Sequence, residues 1–243
     1  MKRKQIDNSD KICIYCGVNH STRFGDHVPP KSWIPSSIRQ RHPCRLVASC
    51  EECNQGFILD DEKFRLHMVS TQDVENSEAA SEIRDIAIRG LSKPKQTGLR
   101  KRFLQGAKLI NTYSYGGIYL GKRYGFDVDF ELIDRVFNRI TRAFYHLHFD
   151  RTIPDSHNLR TLCWNLMHKE QQNAYNSQLA PAIAKRKLHE VCPGAFVYKY
   201  VSIKEFDGSL MWLYALYDNQ FFFTFVDSPE LAKELEAHEN RSM

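Results

Sequence analysis

Two C-x-x-C pairs, Cys13-Ile-Tyr-Cys16 and Cys50-Glu-Glu-Cys53, constrain this chain more than any other feature of its sequence. Each pair can present two thiolates from one tight knuckle, and two knuckles brought together complete a tetrahedral set of four sulfurs around a structural Zn²⁺. Gly17, directly after the first pair, suits the unusual backbone that such a turn requires. A redox C-x-x-C is the rival reading, but two pairs and no surrounding βαβ pattern count against it. The gap between the pairs is longer than in a compact zinc ribbon, so a further segment is inserted there. Of the other possible ligands, Cys44 or His20 could substitute at the site, while Cys163 and Cys192 read as ordinary buried thiols.

The inserted segment runs Phe24-Gly25-Asp26-His27-Val28-Pro29-Pro30-Lys31-Ser32, and Asn54 follows the second knuckle at once. An Asp-His dipeptide alone is weak evidence, since a surface or core-satisfied histidine is commoner than a catalytic one. Its place between two zinc knuckles changes that balance. Phosphodiester hydrolysis needs a base to activate water and a cation to neutralise phosphate charge. In an extended segment Asp26 and His27 point to different sides, so one can bind metal while the other faces the nucleophile. The zinc would then hold Asn54 and the Asp26-His27 strand in one frame.

The order C-x-x-C, Asp-His-x-x-Pro, Leu-Val-x-x-C-x-x-C-Asn resembles the four-cysteine HNH endonucleases, whose core is the ββα-metal fold, over Cys13 to about Arg65. The resemblance implies that His27 is the general base. It also implies that Asp26 and Asn54 hold a catalytic divalent ion, Mg²⁺ or Mn²⁺. The longer pattern through Asp60-Asp61-Glu62 resembles a subgroup of bacterial HNH proteins, and Phe130 to Pro154 resembles the second half of that subgroup more loosely. Association with such proteins suggests a defence or toxin setting. Asp61 is a candidate extra metal ligand if one helix runs unbroken from Asn54, and a helix N-cap is the equal alternative. The sequence departs from many HNH motifs at Arg45, where an asparagine usually orients the base.

A chain of 243 residues can bury a core without disulfides. Its 42% hydrophobic and 26% charged residues are ordinary for a water-soluble chain, and no apolar run reaches the ~18 residues of a membrane span. The basic start lacks the apolar segment of a signal peptide, so the expected location is cytoplasmic, without membrane association. The net charge of +5 is unevenly spread. Residues 76–128 hold ten Lys/Arg against four Asp/Glu, residues 1–75 eleven against ten, and residues 129–243 thirteen against fifteen. Arg100, Lys101, Arg102, Lys108, Lys122 and Arg123 are therefore the candidate nucleic-acid contacts, with interleaved Tyr113, Tyr115, Tyr119 and Tyr124 able to stack on bases. A solvated helix face is the bland alternative.

The expected fold class is α+β, with an N-terminal module at 1–75 and a mainly helical accessory region at 76–243 that ends in an antiparallel meander. Helices are expected from about Asn54, from Asp60 or Asp61, over Ser77–Leu91, over Leu99–Asn111 and over Phe130–Phe149, and from Pro181 to Val191. A linker is expected at Lys93–Gly98, a hairpin over Tyr113–Phe126, and strands over Phe196–Ile203, Leu210–Tyr217 and Gln220–Val226. Three functions follow as alternatives. The first is a nuclease acting on nucleic acid, DNA in the first instance. The second is a zinc-dependent nucleic-acid-binding protein without catalysis. The third is a regulatory module that binds a protein partner, or a second copy of itself, through an exposed strand edge.

Overall fold

The computed structural model of the chain describes residues 12–18, 25–70, 77–114 and 116–242. His20, Phe24 and Tyr115 lie outside the described residues. The first knuckle closes through Gly17 N–H to the Cys13 carbonyl (2.9 Å) and Cys13 N–H to the Val18 carbonyl (3.0 Å). Gly17 adopts φ +71° there, a left-handed conformation open to a residue without Cβ. Ile14 N–H then donates to the Ala48 carbonyl (3.1 Å), which ties the first knuckle to the chain just before the second.

Strand β1 (Asp26–Val28) pairs antiparallel with β2 (Arg45–Val47), His27 standing opposite Leu46. A 3-10 turn (Lys31–Trp33) and α1 (Ser36–Arg41) connect them. The strands enter in such close contact that a Cβ on Gly25 would lie 2.5 Å from the Val47 carbonyl oxygen. Helix α2 (Glu51–Met68) follows as one continuous helix in place of the two expected, and Cys50 caps it, its Sγ accepting from Cys53 N–H (3.3 Å). A glycine such as Gly56 costs a helix about 1 kcal/mol relative to alanine. External contacts hold the middle of α2: Trp33 Nε1 donates to the Asp61 carbonyl (3.1 Å), and two arginines of a later helix grip Asp60 and Asp61. Asp60 and Asp61 therefore begin no helix.

Helix α3 (Glu78–Leu91) is capped by Ser77 and buries Ala79, Ala80, Ile83 and Ala87. The expected linker is a 3-10 turn (Pro94–Gln96) that runs straight into α4 (Thr97–Gln105). α4 ends at Gly106, short of the expected Asn111. Lys108 thus leaves the helix and sits on β3 (Ala107–Tyr113), which pairs with β4 (Tyr119–Phe126) in a hairpin longer than expected. The β-branched Ile110 and Thr112 suit the strand better than a continued helix.

Helix α5 (Phe130–Phe149) spans the residues expected, with Asp129 accepting from Leu132 N–H at its start (2.9 Å). β5 (Asn158–Cys163) follows, then α6 (Lys169–Ala184), β6 (His189–Cys192), β7 (Phe196–Ser202), β8 (Leu210–Leu216), β9 (Gln220–Asp227) and α7 (Pro229–Ser242). α6 replaces the helix expected over Pro181–Val191. Pro181 lies inside its last turn and does not open it, and His168 caps its start together with Gln171. The five strands form one antiparallel sheet in the order β5-β9-β8-β7-β6. The expected three-strand meander is its centre, and β5 and β6 are the edge strands.

α5 lies between the sheet and α2. Phe137 stacks on Phe222 (4.3 Å between ring centres) and meets Phe64 edge-on (5.5 Å), and Trp33 packs on Phe64 (4.6 Å). Tyr217 donates its hydroxyl to the Trp33 carbonyl (2.9 Å). One apolar core thus runs from the N-terminal strands through α2 and α5 into the sheet, shared by residues on both sides of position 75. The architecture is α+β, and no helix among the described residues is long and apolar enough to cross a membrane.

Candidate active site and metal centre

The sulfurs of Cys13, Cys16, Cys50 and Cys53 all lie within 4.8 Å of one another. Cys16 Sγ and Cys50 Sγ are 3.8 Å apart. A tetrahedron with metal–sulfur bonds of about 2.3 Å has sulfur–sulfur edges of roughly 3.8 Å, so the thiols are spaced for an ion such as zinc. Burial raises the Cys13 thiol, but backbone N–H groups of Cys50, Cys16 and Tyr15 outweigh it and bring the group down to about 7. Burial and the neighbouring thiols push Cys53 strongly upward. A metal bound by these sulfurs would displace the protons that the raised Cys16 and Cys53 thiols carry. Cys44 stands outside this group and interacts with Cys192 instead; Cys163 and Cys192 are buried, as expected.

Beside the thiols, β1 and one face of α2 enclose a cleft of about 470 Å³. Asp26 and His27 enter from β1, and Asn54, Ile58, Asp61, Glu62 and Arg65 from α2. Positions 54, 58, 61 and 65 follow the helical repeat, so they share one face. Lys31 and Gln96 complete the polar rim. The structure thus brings together Asp26, His27, Asn54 and Asp61, the four residues singled out for catalysis. Lys31 and Arg65, two cations on the cleft wall, are functional candidates that no sequence motif marked. Arg45 is exposed opposite Val28, one position out of register with His27.

The carboxylates of the cleft have defined partners. Asp26, 5% exposed, accepts a 2.6 Å hydrogen bond from the Tyr15 hydroxyl on Oδ2, and Arg139 Nε lies 3.8 Å from that oxygen. Arg139 donates to both oxygens of Asp61 (3.1 and 2.6 Å), and Arg135 to both of Asp60 (2.9 and 3.2 Å). Burial lifts the Asp61 carboxyl to about 6, against the pull of Arg139. The two-point contact is that of a carboxylate with a guanidinium. Among the described residues, the four thiols form the one set of three or more Cys, His, Asp or Glu whose ligand atoms converge. A sequence signal for Arg139 existed: it interrupts the apolar stripe of α5 between Val136 and Ala143, and a charge on a buried stripe calls for a partner.

The basic candidates divide. Arg100, Lys101 and Arg102 are exposed on α4, which begins one residue after the cleft-lining Gln96, and no acidic group lies within ion-pair distance of them among the described residues. Lys122 and Arg123 are exposed on β4. Lys108 is paired with Asp127 (2.6 Å), so its charge is partly spent. Comparison of the chain with protein-family models, curated proteins and solved structures finds no match.

Proposed function

We propose that this chain is a metal-dependent endonuclease of the HNH type that hydrolyses phosphodiester bonds of nucleic acid, DNA in the first instance. The observation that carries the reading is the shared cleft: His27 and Asp26 of β1 and Asn54 of α2 line one cavity, and Asn54 directly follows Cys53 of the four-thiol cluster. The cluster is read as a structural zinc site. His27 accepts the proton of the attacking water. The Asp26 carboxylate and the Asn54 amide oxygen are hard donors of the kind that Mg²⁺ and Mn²⁺ take. Tyr15 and Arg139 both approach Asp26 on Oδ2, which fits a carboxylate with its other oxygen left for a cation. An ion held there would neutralise charge building on the phosphate. Lys31 and Arg65 reinforce that neutralisation from the cleft wall. The direct test is incubation with supercoiled plasmid, with and without Mg²⁺ or Mn²⁺. Cleavage that depends on the ion supports the reading, and an intact plasmid under all conditions overturns it.

One observation favours a second reading, a zinc-stabilised nucleic-acid-binding protein without catalysis: Arg139 takes both oxygens of Asp61, so this acid is already neutralised. Ion-independent binding without cleavage would select it.

Both readings need a path for the phosphates, and the exposed cations of α4, a helix that begins one residue after the cleft-lining Gln96, are the candidates for it. Every phosphate that the protein neutralises steepens the log–log salt dependence of duplex binding by about 0.9. The triple change Arg100→Ala, Lys101→Ala, Arg102→Ala should weaken binding of any sequence about equally and flatten that slope, measured by fluorescence anisotropy across a salt series. Lys108→Ala should leave both nearly unchanged. Identical affinity and slope in the triple variant would make α4 a solvated helix only.

A further inference from the structure

Asp26 presents a physical problem. It is a nearly buried carboxylate on a short strand, and a buried charge is tolerated only when paired and hydrogen-bonded. Its partners come from distant parts of the chain. Tyr15 lies between the two cysteines of the first knuckle, and its hydroxyl donates to Oδ2 at 2.6 Å. Arg139 comes from the middle of α5, and its Nε approaches the same oxygen while its other two nitrogens bond to Asp61. Phe57 of α2 joins the two partners. The Arg139 guanidinium lies over its ring (4.6 Å), and the Tyr15 ring meets it edge-on (5.0 Å). Neither Tyr15 nor Arg139 is among the residues that line the cleft.

We infer that Tyr15 and Arg139 are positioning residues that pin Asp26 through Oδ2 and so preset Oδ1 as the oxygen that binds the divalent ion. The inference rests on the nuclease reading above. Pinning one oxygen removes the rotation of the carboxylate about its terminal bond, and an ion then binds without that ordering cost. Partners of this kind that orient a metal-binding carboxylate typically carry about 10- to 100-fold of metal affinity or activity. The arrangement also makes the thiol cluster more than a staple. Tyr15 is held by its two flanking cysteines, so metal in the knuckle fixes the donor that fixes Asp26.

The test is Mn²⁺ titration of the zinc-loaded full chain, read by electron paramagnetic resonance, for the wild type, Asp26→Asn, Tyr15→Phe and Arg139→Lys. Zinc content and melting temperature are measured in parallel. The wild type should take up Mn²⁺ at a site that Asp26→Asn loses. Tyr15→Phe removes one oxygen and keeps the ring against Phe57; it should bind Mn²⁺ about 10-fold more weakly or worse with zinc content unchanged. Arg139→Lys keeps the charge without the two-point grip and should also bind more weakly. Tyr15→Phe decides the matter alone if the buried Arg139 tolerates no substitution. If Tyr15→Phe binds Mn²⁺ like the wild type while Asp26→Asn does not, the positioning role is overturned and the nuclease reading stands. A wild type that takes up no Mn²⁺ overturns both.

Discussion

His27→Ala should lose plasmid cleavage by at least 10²- to 10⁴-fold, about what a positioned general base contributes, and should keep its fold. His27 is half-buried on β1 and does not belong to the apolar core, and the pairing of β1 with β2 runs through the backbone opposite Leu46. The zinc content, the melting temperature and the affinity for duplex in EDTA should therefore stay near wild type. Measuring cleavage and binding on one preparation separates lost chemistry from lost structure. A variant that cuts at the wild-type rate would move the base elsewhere in the cleft.

Cys16→Ser should release the metal from the thiol cluster and loosen the chain around it. Cys16 is the exposed member of the four, so the substitution removes a ligand and almost no packing. Wild-type protein should carry about one zinc per chain in a closed four-thiolate site, and Cys16→Ser should carry far less. Structural zinc contributes on the order of 10 kcal/mol to the small domains it folds. Here the core through Trp33, Phe64 and Phe137 holds α2 independently, so the damage should concentrate at residues 13–18 and 45–53. Hydrogen exchange should show that region opening while α5 and the sheet keep their protection. Cys44→Ser, outside the cluster, should keep its zinc. Wild-type protein that contains no metal and has all four thiols open to alkylation would remove the zinc site.

The candidate site was legible where its residues are close in sequence. Cys13 and Cys16, Cys50 and Cys53, Asp26 with His27, and Asn54 beside its knuckle are all local patterns with fixed spacing. α5 was legible because its apolar residues keep a 3.6-residue period for five turns, and β7 to β9 because Asp207-Gly208 and Asp218-Asn219 punctuate them. Interactions that span the chain were not legible. Arg139 and Asp61 are 78 residues apart, and nothing in either neighbourhood names the other. Asp60-Asp61 carries the composition of a helix start, and only tertiary contact with α5 shows these residues mid-helix. β6 has four residues and β5 mixes polar with apolar side chains, so neither shows a clear alternation. Pro181 read as a helix opener because proline favours first-turn positions, whereas here it sits where α6 is about to end.

The capping of α2 by Cys50 turns this helix into a gauge with a fixed zero. Its origin is set by a cysteine of the thiol cluster, and everything beyond is placed by counting. One residue inserted between Cys53 and Ile58 would turn each later position by about 100° about the axis and advance it about 1.5 Å. Asp61 and Arg65 would swing away from the cleft, Asp60 and Asp61 would slip past Arg135 and Arg139, and Phe64 would leave Phe137. The cluster itself would remain whole. A change of length between the second knuckle and Phe64 would therefore cost the cleft wall and the core contact together, whereas one in a connection outside the helix would leave both in place.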